Sequence, residues 1–143
     1  MEIITTLPPN PASAETVPVS KKVLWAAHLL SALPVLMLLA SSLTKFTKPA
    51  PVLEGFAHLG LPERLAFGLG LLELICTAVY VVPQTAVLGA ILLTGYLGGA
   101  VVCHLRVGDV FIGPIVWGVL LWAGLFLRDK RLRALIPWRS PQS

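Results

Sequence analysis

Residues 65–105 read LAFGLGLLELICTAVYVVPQTAVLGAILLTGYLGGAVVCHL, one apolar run with a Pro-Gln pair at its middle and a single carboxylate, Glu73, in its first half. A bilayer core of about 30 Å is crossed by roughly 20 apolar residues in a helix, so the run is too long for one crossing and right for two. The sequence therefore predicts two crossing helices, 64–82 and 85–105, with a tight turn at Pro83 and Gln84.

The composition of the whole chain is typical of a membrane protein. Hydrophobic residues make up 56% and charged residues 13%, with a mean hydropathy of +0.83. The net charge of +4 comes from Lys and Arg at the borders of the apolar blocks, which indicates contact with lipid headgroups rather than with nucleic acid. The two cysteines form no C-x-x-C pair, so neither a disulfide framework nor a thiol redox motif is predicted.

Two further apolar segments, 23–44 and 110–127, complete an all-α integral membrane four-helix bundle. A cleavable signal peptide is the competing interpretation of 23–44, but the segment is long for one. Between the first two spans, prolines precede a short segment with Val52 and Phe56 on one helical face and Glu54 on another, which predicts a short interfacial amphipathic helix. The division is a disordered polar tail at 1–20, the transmembrane domain at 21–137 and a C-terminal tail at 138–143.

Basic residues are distributed unevenly over the predicted loops and tails. Seven of the 11 Lys and Arg residues lie on the side of the two termini and the 83–84 turn, and four lie on the opposite side. Cytoplasmic segments carry the excess of Lys and Arg. Both termini are therefore predicted in the cytoplasm, with the 46–64 loop outside.

Glu73 is the residue that packing does not explain. A charged acid near the bilayer midplane costs about 3 kcal/mol on insertion scales, so the side chain must be neutral, paired or beside water. One interpretation is a protonated acid that is hydrogen-bonded to Tyr96, Thr94 or Tyr80. The other is a proton-relay or ligand-binding group. The sequence leaves both open.

A set of basic residues is predicted at the outer level of the bundle. Lys45, Arg64, His104 and Arg106 all fall there, where they could receive an anion or the head of a quinone, or form an ordinary headgroup belt. The rise per residue places Glu73 about 15 Å deeper than His104. Two sites, or one elongated cavity, would be needed.

The small and sulfur-containing residues of the central run give two more predictions. Gly95 and Gly99 are spaced to let another helix approach closely. Cys76 and Cys103 lie about 18 Å apart along the axis, beyond disulfide reach, which disfavours a thiol oxidase of the disulfide-forming kind. The sequence shows no metal-ligand spacing, phosphate loop or Ser-His-Asp set.

Several blocks of the chain resemble the DoxX-like family of membrane proteins. These blocks are SLTKF at 42–46, GLP at 60–62, LGLLELI at 69–75, LGAILLTGYLGGAVVCHLRVGD at 88–109 and LWAGLFLRDKRLRALIP at 121–137. The resemblance implies a small four-helix protein of the bacterial inner membrane, with Lys45, Glu73, His104 and Arg106 at the family's recurrent polar positions. It also implies a link to thiosulfate oxidation with quinone as acceptor, or to membrane oxidoreductase complexes.

Three functions follow from these features. The first is a membrane subunit of a redox-related assembly that holds a quinone-like or other amphiphilic ligand near Glu73. The second is a small proton-coupled transporter, and the third is a structural membrane partner without a ligand. No independent enzymatic activity is predicted, and the expected partners are the lipid bilayer, a protein of a membrane complex or a second copy. The candidate site residues are Glu73, Lys45, His104, Arg106, Tyr96 and Tyr80.

Overall fold

The structure, a computed structural model, describes residues 21–135, and this part of the chain is all-α. Six helices follow one another: α1 Lys21–Thr47, α2 Ala50–His58, α3 Leu65–Val81, α4 Ala86–Arg106, α5 Ile112–Arg128 and α6 Lys130–Leu135. The predicted tails at 1–20 and 138–143 lie outside the described residues.

The four long helices coincide with the four predicted apolar segments, and each bound lies within three residues of its predicted position. The predicted amphipathic helix is α2, which begins after Pro49 and has Pro51 in its first turn, where proline's missing N–H is tolerated. The short helix α6 was not predicted. It begins after Asp129, whose carboxylate accepts hydrogen bonds from the backbone N–H groups of Arg131 and Leu132 at 2.8 and 3.3 Å.

The long helices form a ring in which each contacts two neighbours. The order around the ring is α1, α3, α4 and α5, with α5 returning to α1. Short connections make successive helices antiparallel. One end of the ring, where α1 ends and α3 begins, is called the α2 end here. The opposite end, where α1 begins and α5 ends, is called the α6 end.

Helices approach most closely at the α6 end, through two glycines. A Cβ on Gly89 of α4 would overlap the backbone of Tyr80 on α3. A Cβ on Gly124 of α5 would overlap the Ser31 hydroxyl and lie 2.9 Å from the carbonyl oxygen of Ala27 on α1. Glycine at these two positions therefore brings the neighbouring helices into direct backbone contact.

Tyr80 connects three helices at the same end. Its hydroxyl donates to the Leu121 carbonyl of α5 at 2.8 Å and lies 3.0 Å from the Ser31 hydroxyl of α1. The guanidinium carbon of Arg128 lies 5.2 Å from the centroid of the Tyr80 ring, a cation–π distance. The side chain is 1% exposed, so each polar contact is made away from solvent.

The prediction that Gly95 and Gly99 bring another helix of this chain close is wrong. A Cβ on either residue would meet nothing within 4 Å, and both glycines are exposed. The close contacts between helices are made by Gly89 and Gly124 instead. The sequence pattern alone does not show which small residues face a neighbour.

The outer surface of the ring is apolar. Large side chains such as Leu36 and Val102 are more than 60% exposed, and similar residues cover the outside of α3 and α5. Two helices, α1 and α4, are long and apolar enough to cross a membrane, while α3 and α5 are shorter apolar helices. Only 22% and 28% of the apolar windows of α1 and α4 are buried, whereas the core helix of a soluble protein is mostly buried.

The two classes of glycine differ in their expected effect on stability. Gly89→Ala forces a methyl group into the Tyr80 backbone, so it should lower the free energy of unfolding by about 1–3 kcal/mol and lower the melting temperature in mild detergent. Gly99→Ala meets no neighbour and gains helix propensity, worth up to about 1 kcal/mol. A Gly99→Ala variant as unstable as Gly89→Ala would contradict this assignment of contacts.

Candidate ligand-binding site

A buried ion pair lies inside the ring. The Lys45 ammonium is 2.8 Å from Oε2 of Glu73, and the Glu73 side chain is 2% exposed. The Ser41 hydroxyl donates to the same carboxylate oxygen at 3.2 Å and accepts a hydrogen bond from Lys45 at 2.5 Å. Three side chains from two helices therefore form one polar cluster, and the charge of Glu73 is compensated.

The local packing of α1 on α3 explains why Lys45 reaches this depth. A Cβ on Gly70 would lie 2.9 Å from the Cβ of Lys45 and 3.1 Å from the Ser42 carbonyl oxygen, so glycine permits the helices to come this close. Glu73 lies one helical turn further into α3, about 4.5 Å along the axis. The Lys45 side chain spans that distance by pointing into the ring rather than out of it.

The inward direction of the Lys45 side chain differs from the predicted outward one. Lys45 was predicted in an outer basic mouth, and Glu73 was predicted either as an acid bonded to Tyr96, Thr94 or Tyr80 or as a proton-relay or ligand-binding group. Tyr80 and Thr94 do not bond to Glu73. Instead, Tyr80 bonds to Leu121 and Ser31 at the α6 end, and Thr94 donates to the Ala90 carbonyl at 2.8 Å. An unpaired buried acid costs more free energy than an extended lysine side chain, so the amine is drawn inward.

A large cavity surrounds the ion pair. Its volume is about 1,000 Å³, and Lys45, Ser41 and Glu73 are among the residues that line it. The walls are mainly apolar and come from all four long helices. Representative wall residues are Leu38, Leu69, Cys76, Leu97, Ala100 and Trp117. A second groove of about 650 Å³ between α4 and α5 carries no charged residue, so the cavity with the ion pair is the stronger candidate site.

Tyr96 and His104 line the same cavity as Glu73. The Tyr96 phenol is near enough to interact with the Glu73 carboxylate, although the direct hydrogen bonds to that carboxylate in the described chain come from Lys45 and Ser41. His104 lies toward the α2 end. Of the two arrangements considered from the sequence, the structure contains the single elongated cavity.

Two residues of the predicted basic mouth, His104 and Arg106, have hydrogen-bond partners at the α2 end. Asp109 accepts a hydrogen bond from Nε2 of His58 at 3.0 Å, and Nδ1 of His104 lies 3.4 Å from it. Arg106 donates to the backbone carbonyl of Leu59. The count of basic residues overlooked Asp109, although Asp109 lies in the short connection that follows the third predicted span.

Helix α2 covers the cavity at this end. Val52, Gly55, Phe56 and Leu59 line the cavity, and Phe56 is buried. Positive backbone φ angles stand on both sides of α2, 46° at Lys48 and 66° at Gly60. The links from His58 to Asp109 and from Arg106 to Leu59, here called the latch, hold the covering helix to the α4–α5 connection.

Sequence reasoning missed Ser41, Asp109 and the role of His58. Ser41 could have been found, because it lies one turn before Lys45 on the same face of α1. Within residues 21–135 no group of three His, Cys, Asp or Glu side chains is arranged to hold a metal ion. Cys76 and Cys103 are free thiols, and both line the cavity.

The latch gives a pH-dependent prediction. The hydrogen bond from His58 holds the pKa of Asp109 below its ordinary value of 3.8, with His104 acting in the same direction. A carboxylate with a lowered folded-state pKa stabilises the fold above its unfolded-state pKa, and that contribution is lost as the pH falls through the folded-state value. Amide hydrogen exchange in α2, corrected for intrinsic rates, should therefore accelerate below about pH 4.

Asp109→Asn should accelerate exchange in α2 already at pH 7 and remove the acid-induced step. Glu54→Gln, which removes an exposed carboxylate from α2 itself, is the matched control and should leave the profile unchanged. Equal profiles for wild type and Asp109→Asn would show that the latch does not hold α2.

Comparison with known proteins bears on the chain as a whole. A family model for the DoxX-like family matches residues 29–124, about two thirds of the 143 residues. The matched range contains the ion pair and the latch. Comparison with curated proteins and with solved structures found no match. The family and the apolar helices together indicate a small membrane protein, and the chain belongs to the DoxX-like family.

Proposed function

We propose that this protein crosses the bacterial inner membrane four times and binds an amphiphilic, quinone-like molecule in the cavity, with the polar head of that molecule at Lys45 and Glu73. Its role is to hold the ligand within a redox-related membrane assembly. The observation that carries the proposal is the buried ion pair in an otherwise apolar cavity of about 1,000 Å³.

The apolar outer surface supports four crossings. All four long helices expose large apolar side chains, including Leu33 on α1, Phe67 on α3, Val102 on α4 and Val119 on α5. Helices α3 and α5 have 17 residues each and are shorter than an average bilayer core. Short spans are accommodated by local thinning of the bilayer and by long basic side chains at their ends, a position that Arg64 and Arg128 occupy.

The ion pair supports a binding role because it contributes little to folding. Removing two charges from water costs about as much free energy as their attraction returns, and apolar replacements of buried pairs are often neutral or stabilising. An ionisable group inside a membrane is therefore a functional candidate by default. Here the two partners also face a cavity of the size that small-molecule sites occupy.

The polar cluster matches the head of a quinone or quinol. The Lys45 ammonium can donate to a carbonyl oxygen, and the Glu73 carboxylate can accept from a hydroxyl group. Tyr96 adds a phenol that can do either. The apolar walls suit the ring and the first part of an aliphatic tail.

Reporter fusions test the membrane placement. Fusions after residues 20, 84 and 135 should report the cytoplasm, and fusions near residues 55 and 108 should report the opposite side, because seven of the 11 basic residues lie on the first set of segments. An odd number of crossings, or the reverse orientation, would overturn this part of the proposal.

The binding proposal is tested by fluorescence, since Trp117 lines the cavity and a quinone quenches tryptophan emission. Titration with a decyl-chain benzoquinone should quench the wild type saturably, and Trp117→Phe should remove that component. The double variant Lys45→Met/Glu73→Leu should bind at least about tenfold more weakly, because hydrogen bonds to charged groups contribute about 1.5–3 kcal/mol.

Stability separates a lost contact from a lost fold. Glu73→Leu alone leaves a buried ammonium unpaired and should cost about 3–5 kcal/mol, whereas the double variant should melt close to the wild type. A stable double variant with wild-type affinity would show that the head does not bind at the ion pair. A wild type without saturable quenching would exclude this quinone as a ligand.

A further inference from the structure

The cavity around the ion pair is open at the side of the ring, between α3 and α4. Five of its lining residues are exposed there: Leu72 on α3 and Ile91, Leu92, Gly95 and Gly99 on α4. Leu72, Ile91 and Leu92 are 48%, 55% and 41% exposed while lining the same cavity as the buried Glu73. This set of five residues is called the side window here.

The two glycines keep the side window open. A Cβ on Gly95 or Gly99 would meet nothing within 4 Å, so α3 does not close over this part of α4. The same two helices touch at Gly89 and Tyr80 near the α6 end. Gly95 lies six residues beyond Gly89 on α4, and Glu73 lies seven residues before Tyr80 on α3, so the rise of a helix places Gly95 at about the depth of Glu73.

The α2 end offers a different surface to a ligand. There the cavity is covered by α2, and the latch surrounds it with charged and polar groups, Asp109, His58 and Arg106. A ligand with a long apolar tail would expose every methylene of that tail to water on this route, at a cost proportional to the area exposed. Through the side window the tail stays among apolar side chains and lipid throughout.

We infer that the ligand is a lipid-soluble molecule with one polar head and a long apolar tail, which enters from the bilayer through the side window and leaves its tail lying across Gly95 and Gly99. This inference rests on the proposed function and names the class of ligand that the site takes. Small water-soluble anions are excluded from that class, because the side window faces lipid. Gly95 and Gly99, which contact no other helix, thus serve as the passage and resting surface for the tail of the ligand.

Filling the side window tests this route. Gly99→Leu places a branched side chain across it, and Gly98→Leu is the matched control. Gly98 is the residue before Gly99 on α4, and a Cβ there would also meet nothing within 4 Å. It lines the separate α4–α5 groove. Both changes replace a helical glycine by a good helix former, so neither is expected to unfold the protein.

Two probes are titrated against protein reconstituted in phosphatidylcholine vesicles, a decyl-chain benzoquinone and the same benzoquinone without its tail. Affinities are referred to the concentration of each probe in the bilayer. Gly99→Leu should weaken binding of the tailed probe at least tenfold and change binding of the tailless probe less than threefold. Gly98→Leu should change neither.

Two results would overturn the inference. If Gly99→Leu leaves the affinity of the tailed probe unchanged, the tail does not pass the side window. If it weakens both probes equally, the substitution has filled the head site instead. Failure of the wild type to bind either probe is a different result. It would contradict the proposed function, quinone binding in the cavity, rather than the route through the side window.

Discussion

The carboxylate of Glu73 cannot remain unpaired in an apolar interior, and its pairing with Lys45 ties α1 to α3. Glu73 lies inside a ring of four apolar helices, and Lys45 reaches it from the neighbouring helix because Gly70 lets the two backbones come close. The carboxylate, the amine and the Ser41 hydroxyl satisfy one another, so the interior tolerates a polar cluster beside a cavity.

Small residues perform two opposite tasks in the same ring. At the α6 end, Gly89 and Gly124 remove the side chains that would keep neighbouring helices apart. Toward the middle, Gly95 and Gly99 have nothing to pack against, and their missing side chains create space. Two glycines four residues apart therefore indicate only that side-chain volume is missing from one helix face. The positions of the surrounding helices decide whether that missing volume allows a close contact or leaves an opening.

The sequence predicted the architecture better than the site. Apolar segment lengths placed the long helices to within three residues, since a run of apolar side chains has few alternatives to a helix of that length. The partner of Glu73 could not be predicted, because Lys45 is 28 positions away and reaches it through the packing angle of α1 on α3. The contact of Asp109 was missed because its partner His58 is 51 positions away in the chain. Helix α6 was missed although its Asp129 cap is local, because six residues carry too little apolar periodicity to indicate a helix.

The hydroxyl of Tyr80 bonds to one neighbouring helix and contacts another, and this has a mechanical consequence. Tyr80 ties α1, α3 and α5 together at the α6 end, and the ion pair also ties α1 to α3, so α4 is the long helix that neither contact holds. A tilt of α4 would have its fulcrum where Gly89 meets Tyr80. The fulcrum lies about 10 Å from the level of Glu73, given the rise of a helix. A slight tilt of α4 about it would change the width around the acid without unfolding any turn of backbone.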